Sequence, residues 1–160
     1  MNALSPEGRQ EAERLLEQEL EATRRLLDLL DQENSALRAR DAAALERIVP
    51  AKEALLKALD DRVDRHAQIL RRLGLPQGRR GSECLARMAG EAAIGLWHSL
   101  SEAAHRCREM NAVNGGLLSL AEVRVRHSLE VLRGRPDHAK TYGKGGQTRY
   151  SGHSHRIGEA

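Results

Sequence analysis

Apolar residues recur every three or four positions through the first 132 residues, and the pattern then stops. Leu16, Leu20, Leu27, Leu30 and Leu37 follow helical spacing, and Leu15, Leu26 and Leu29 widen the same face. Thr23 and Asn34 interrupt it, and Gly8 weakens only the first turn. Ser5-Pro6-Glu7 supplies an N-cap, a proline at the first helical position and an acid in the first turn, which predicts one helix from about Ser5 to Arg40. Asp41 is the next N-cap. The run Leu45, Ile48, Lys52, Leu55, Leu59, Arg62, His66, Ile69, Leu73 alternates three and four, with Val49, Leu56, Val63 and Leu70 on an adjoining line. Pro50 removes a backbone donor inside this pattern, which predicts a kink or a short helix ending near Val49. Lys52 and His66 read as edge residues with their heads in water. Gly74-Leu75-Pro76 ends the element. The first two helices, joined at Arg40-Asp41, should form an antiparallel hairpin.

Gln77 to Ser82 reads as a solvated loop, Arg79-Arg80 included, and Ser82 to Gly90 as a turn or two of helix. The long stretch from Glu91 to Leu132 carries three lines of residues seven apart. One holds Trp97, Ala104, Asn111, Leu118, Val125 and Leu132; another Leu100, Cys107, Asn114 and Ala121; a third Leu96, Ala103, Met110 and Leu117. Such a stripe is wider than a two-helix seam needs. A helix of this length spans roughly 60 Å, enough to touch one helix of its own chain and offer surface to another; the central helix of a closed bundle would show the same stripe. Asn111 and Asn114 fall on the lines, where a buried amide sets register more than it stabilises. Gly115-Gly116 follows, each costing about 1 kcal/mol in a helix interior, and predicts loosening or bending there.

Composition agrees with helix packing. The 160 residues include 24 Leu, one Trp and no Phe, and 31% are charged. Such a core suits helices and not a β-sandwich. The fold class expected is all-α: an elongated antiparallel hairpin plus a long C-terminal helix over residues 1–132, in the manner of a three-helix bundle or coiled coil, and a disordered basic Gly/His tail over 133–160. That tail holds six of the 26 basic residues and two of the 23 acidic ones, so the net charge of +3 belongs to it and the helical part is near neutral. A nucleic-acid-binding bundle would carry its basic stripe on the folded part, so nucleic acid is not an expected partner; a tail-mediated interaction would show as salt-sensitive DNA binding. The N-terminus lacks the basic and apolar regions of a signal peptide and no apolar stretch is long enough for membrane insertion, so a reduced, cytoplasmic protein is expected.

No catalytic, cofactor or metal arrangement is expected. Gly143-Lys144-Gly145-Gly146 lacks the strand-to-helix setting of a phosphate loop. His105 and Cys107 point to different helix faces, and His98 and His105 share a face without a carboxylate pair. Cys84 and Cys107 have neither metal-site spacing nor disulfide density. His153-Ser154-His155 could hold adventitious metal at most.

Several segments in order resemble one family, the FlgN-type export chaperones of flagellar type III secretion. They are Leu37-Arg38-Ala39-Arg40-Asp41, Leu45 with Lys52-Glu53-Ala54-Leu55-Leu56, Arg71-Arg72-Leu73-Gly74-Leu75, Asn111-Ala112-Val113-Asn114-Gly115-Gly116-Leu117-Leu118, and Thr141-Tyr142-Gly143-Lys144-Gly145-Gly146-Gln147. The resemblance implies a chaperone that holds the C-terminal helical segments of hook–filament junction proteins, prevents premature assembly and delivers them to the export gate. It implies cargo contact through the last helix, for which Trp97, Met110, Asn111, Asn114, Leu117, Leu118 and Val125 are the candidates, and export-gate docking near Tyr142. The alternative is a self-associating coiled-coil scaffold without a secretion role; a homo-oligomer is compatible with either.

Overall fold

A computed structural model describes residues 4–132. They form four helices joined by short connections: α1 (Pro6–Ala39), α2 (Ala42–Arg72), α3 (Arg79–Ala89) and α4 (Glu91–Leu132). The all-α architecture is therefore as expected. The expected disordered tail, 133–160, lies outside the described residues. Among the described residues, 4–119 belong to one compact unit and 120–132 to a second.

Capping chemistry explains the boundaries in the first unit. The Ser5 hydroxyl accepts from the Gly8 amide at 3.2 Å, and Asp41 Oδ1 accepts from the Ala44 amide at 3.0 Å, so both long helices start on a side-chain cap. Both end in the same bond pattern. After α1, the Asp41 amide reaches the Ala36 carbonyl at 2.9 Å and the Arg40 amide reaches Leu37 at 3.3 Å; after α2, Leu75 reaches Leu70 at 2.9 Å and Gly74 reaches Arg71 at 3.1 Å. These are Schellman closures, which need a left-handed residue. Gly74 supplies it at φ +67°; Arg40 supplies it at φ +56° despite its side chain.

Two sequence expectations are corrected here. α2 runs unbroken through Pro50. The carbonyl deprived of its donor belongs to Glu46, four residues back, and both positions are exposed, so water can satisfy what the helix does not. The loop expected over Gln77–Ser82 is shorter, because α3 begins at Arg79 and places Arg79-Arg80 in its first turn. Gly81 permits this: a Cβ there would lie 1.7 Å from the Pro76 carbonyl oxygen. Gly90, at φ +121°, then separates α3 from α4.

The main core joins α1, α2, α3 and the start of α4 through Ala12, Leu15, Leu16, Ile69, Leu70, Leu85, Ala86, Ala89 and Ala93. Leu96, Trp97 and Leu100 pack against it. A smaller cluster of Leu27, Leu30 and Cys107, with Leu26 and Met110 alongside, carries α4 along α1. α2 runs antiparallel to α1, whereas α4 runs parallel to α1, since Cys107 meets Thr23 and Asn114 meets Leu30. α4 remains helical through Gly115-Gly116, and a Cβ at either glycine would meet nothing within 4 Å. No packing demand explains the pair.

In the second unit the described residues are the last thirteen of α4. Leu120, Val123, Val125, Leu129, Val131 and Leu132 are all exposed there.

Candidate functional site

Between the helices of the first unit lie two buried polar braces. In one, Glu19, His66 and Ser82 are each more than nine-tenths buried. His66 Nδ1 lies 2.9 and 3.0 Å from the two Glu19 carboxylate oxygens, and Nε2 lies 3.0 Å from Ser82 Oγ. A carboxylate only accepts, so Nδ1 carries a proton and donates it; the Ser82 hydroxyl is left to donate to Nε2 or to the Gly78 carbonyl, 3.3 Å away. Serine, histidine and carboxylate also make hydrolase triads. Here the three link α1, α2 and α3 across the core, and their role in the fold is to satisfy one another.

The second brace centres on Asn114, which is 3% exposed. Its amide nitrogen donates to the Leu30 carbonyl and to Glu33 Oε2, both at 2.8 Å, and its oxygen accepts from Asn34 Nδ2 at 2.9 Å. Glu33 Oε1 accepts from Lys52 of α2, and Asn34 Oδ1 from Arg38. The brace therefore spans α1, α2 and α4. Lys52 and His66 are thus not edge residues with heads in water: each is drawn inward by an acid on α1. A sequence signal existed for this. Glu19 and Glu33 are fourteen apart, as are Lys52 and His66, so an antiparallel hairpin can align both pairs at once.

The three lines of α4 part company. Leu100, Cys107 and Asn114 turn inward, as do Ala103 and Met110, and Leu117 is half-buried. Asn111 and Leu118 are exposed, Leu118 by half. Trp97 is half-buried and lines a cavity of about 320 Å³ with Leu100, Ala104, Val63, Leu70 and Arg108. In the second unit Val125 is 59% exposed. Of the predicted contact residues, then, Asn114 is committed to its own chain and Met110 packs half-buried beside the small cluster, while Asn111, Leu118 and Val125 are accessible. Tyr142 lies outside the described residues.

Nothing in the described residues forms a metal-ligand cluster. Cys107 Sγ donates to the Thr23 carbonyl at 3.5 Å, and burial pushes its thiol pKa upward, the opposite of what a nucleophile needs. His105 is exposed and pairs with Glu109 at 3.3 Å. No helix among the described residues is long and apolar enough to cross a membrane.

The fold is an all-α one, with polar side chains braced inside a hairpin and a long helix that carries exposed apolar residues. Residues 1–150 match the family model described as FlgN protein, and the chain belongs to that family. The crystal structure of a flagella synthesis protein FlgN from Pseudomonas aeruginosa is similar, with 28% identity and a TM-score of 0.59 over 69% of this chain and 88% of that one. No protein in the curated set matches the sequence. A flagellar, export-related role follows from the family and this neighbour.

Proposed function

We propose that this protein is a cytoplasmic export chaperone whose α4 binds the C-terminal helical segments of hook–filament junction proteins, keeps them from assembling early and hands them to the flagellar export gate. The supporting observation is the exposed apolar residues of α4. Six large ones fall within residues 120–132, and they lie on more than one side of the helix. A helix apolar on several sides is ordinarily a buried one, and each such side chain gains about 1.5–3 kcal/mol when a partner covers it. Cargo segments that later pack as coiled coils offer a matching apolar seam. In this reading Trp97, Met110, Asn111, Leu117, Leu118 and Val125 act in cargo contact. Asn114 would hold α4 in place, and Tyr142 would meet the export gate.

The test is co-elution of the full chain with purified C-terminal segments of hook–filament junction proteins, read by size exclusion with light scattering. A stoichiometric complex is expected, lost with Val125→Asp and Leu118→Asp and kept with Glu21→Lys. A stable homo-oligomer that ignores those segments would replace the chaperone with a self-associating scaffold.

A further inference from the structure

In the first unit α2 and the first part of α4 both lie along α1, and a groove runs between them. The braces fix the heights. Glu19 against His66 and Glu33 against Lys52 set α2 on α1; Thr23 against Cys107 and Leu30 against Asn114 set α4 on α1. That register brings Val63, Leu56 and Val49 of α2 to within about 3 Å of the heights of Ala104, Asn111 and Leu118 of α4. Val63 and Ala104 share the cavity walls directly. Val49, Leu56 and Val63 are 38%, 42% and 59% exposed and seven residues apart, a heptad line that belongs to neither core cluster.

Beside that line runs a second one. Glu46, Glu53 and Asp60 are also seven apart, each three residues before an apolar member, and all are exposed. Residues three apart are neighbours on a helix surface. None of these acids is in an ion pair within the described residues, although Glu21–Arg25 and Glu83–Arg87 are paired on neighbouring helices. An apolar heptad line flanked by a row of one charge is how a helix selects a partner helix of opposite flanking charge.

We infer that the α2–α4 groove seats an amphipathic helix from a partner protein, with apolar residues at heptad spacing and a lysine- or arginine-rich flank lying along Glu46, Glu53 and Asp60. From Val49 to Val63 the groove is about 21 Å long at helical rise, so fifteen to twenty residues would fill it. One apolar side chain enters the cavity between Trp97 and Leu70. There the buried Ser101 hydroxyl, without a hydrogen-bond partner in the described residues, can meet a polar group of the incoming helix. Trp97, Asn111 and Leu118 border both this groove and the cargo surface, whereas residues 120–132 belong to the cargo surface alone; the inference does not depend on the chaperone reading.

The test uses the full chain and two labelled helical peptides of about 21 residues, alike in their leucine heptads and differing only in a Lys or a Glu flank. Fluorescence anisotropy should show the Lys-flanked peptide binding at least about tenfold more tightly at low salt. Leu56→Asp should weaken it about tenfold or more, and the triple reversal Glu46→Lys, Glu53→Lys, Asp60→Lys should exchange the preference between peptides. All four positions are exposed, so circular dichroism should report unchanged helix content. Val125→Asp should leave peptide affinity unchanged while abolishing cargo co-elution, which separates the two surfaces. Equal binding of both peptides, a preference unmoved by the triple reversal, or a homodimer dissolved by Leu56→Asp would each overturn the inference.

Discussion

Replacing Asn114 with alanine should cost stability out of proportion to the size of the side chain removed. The amide makes three hydrogen bonds at 2.8–2.9 Å while only 3% exposed. Bonds of neutral partners such as the Leu30 carbonyl and the Asn34 amide contribute about 1 kcal/mol each, and one to a carboxylate such as Glu33 about 1.5–3 kcal/mol. Glu33 keeps Lys52 and Asn34 keeps Arg38, and the Leu30 carbonyl keeps its place in the helix ladder. The loss is therefore partial, and about 2–4 kcal/mol is expected. Urea unfolding followed by far-UV circular dichroism would read it as a lower midpoint with an unchanged slope. Asn111→Ala, three residues away and exposed, should stay within about 0.5 kcal/mol. Asn114→Asp should be worse than alanine at neutral pH, because it sets a carboxylate against that of Glu33. The new acid's pKa would be raised by its like-charged neighbour. Its penalty would be absent below the ordinary aspartate range and would appear as pH rises through the raised value. A loss below about 0.5 kcal/mol for Asn114→Ala would refute the claim that this residue braces three helices, and would return it to the list of cargo contacts.

Other changes test other parts of the fold. Gly81→Ala should destabilise by more than an ordinary surface change, since its Cβ would lie 1.7 Å from the Pro76 carbonyl oxygen; a lower melting temperature checks this. Arg40→Gly should stabilise by about 1 kcal/mol, because it relieves a side chain held at φ +56°. Gly115→Ala and Gly116→Ala meet no atom within 4 Å, so each should stabilise by about 1 kcal/mol of helix propensity, read as a higher urea midpoint. At neutral pH a thiol reagent should label partly exposed Cys84 well before Cys107. Burial raises the Cys107 pKa from its ordinary 9.0, so its contribution to stability is present below that value and fades as pH climbs through the raised one.

Much of the helical plan was legible because it rests on local chemistry. Ser5, Asp41 and Gly74 mark their boundaries through caps and a left-handed closure, and these depend on a few adjacent residues. The misreadings came where context overrode a local rule. Pro50 was expected to kink the helix or end it near Val49, but the carbonyl it orphans belongs to exposed Glu46, within reach of water, and α2 continues unbroken. Arg79-Arg80 was expected in a loop, because the close approach that lets α3 begin there depends on Gly81 against Pro76, a contact no periodicity announces. Lys52 and His66 were placed at an edge because a seam position says nothing of what sits opposite. The α4 stripe was visible, but which of its three lines faced inward depended on Asn34 and Glu33 of another helix.

Those paired charges also bear on how the hairpin finds its alignment. A leucine heptad is degenerate: slide α2 along α1 by one repeat and leucines still meet leucines. The acids are not so tolerant. In the native alignment Glu19 meets His66 and Glu33 meets Lys52. A slip of seven residues one way sets Glu19 against Leu59 and Glu33 against Leu45; the other way, against Leu73 and Leu59. Either slip buries two carboxylates against hydrocarbon, a cost of several kcal/mol each. The hairpin thus carries its own proofreading, in which hydrophobic repeats bring the helices together and two buried acids reject every neighbouring alignment.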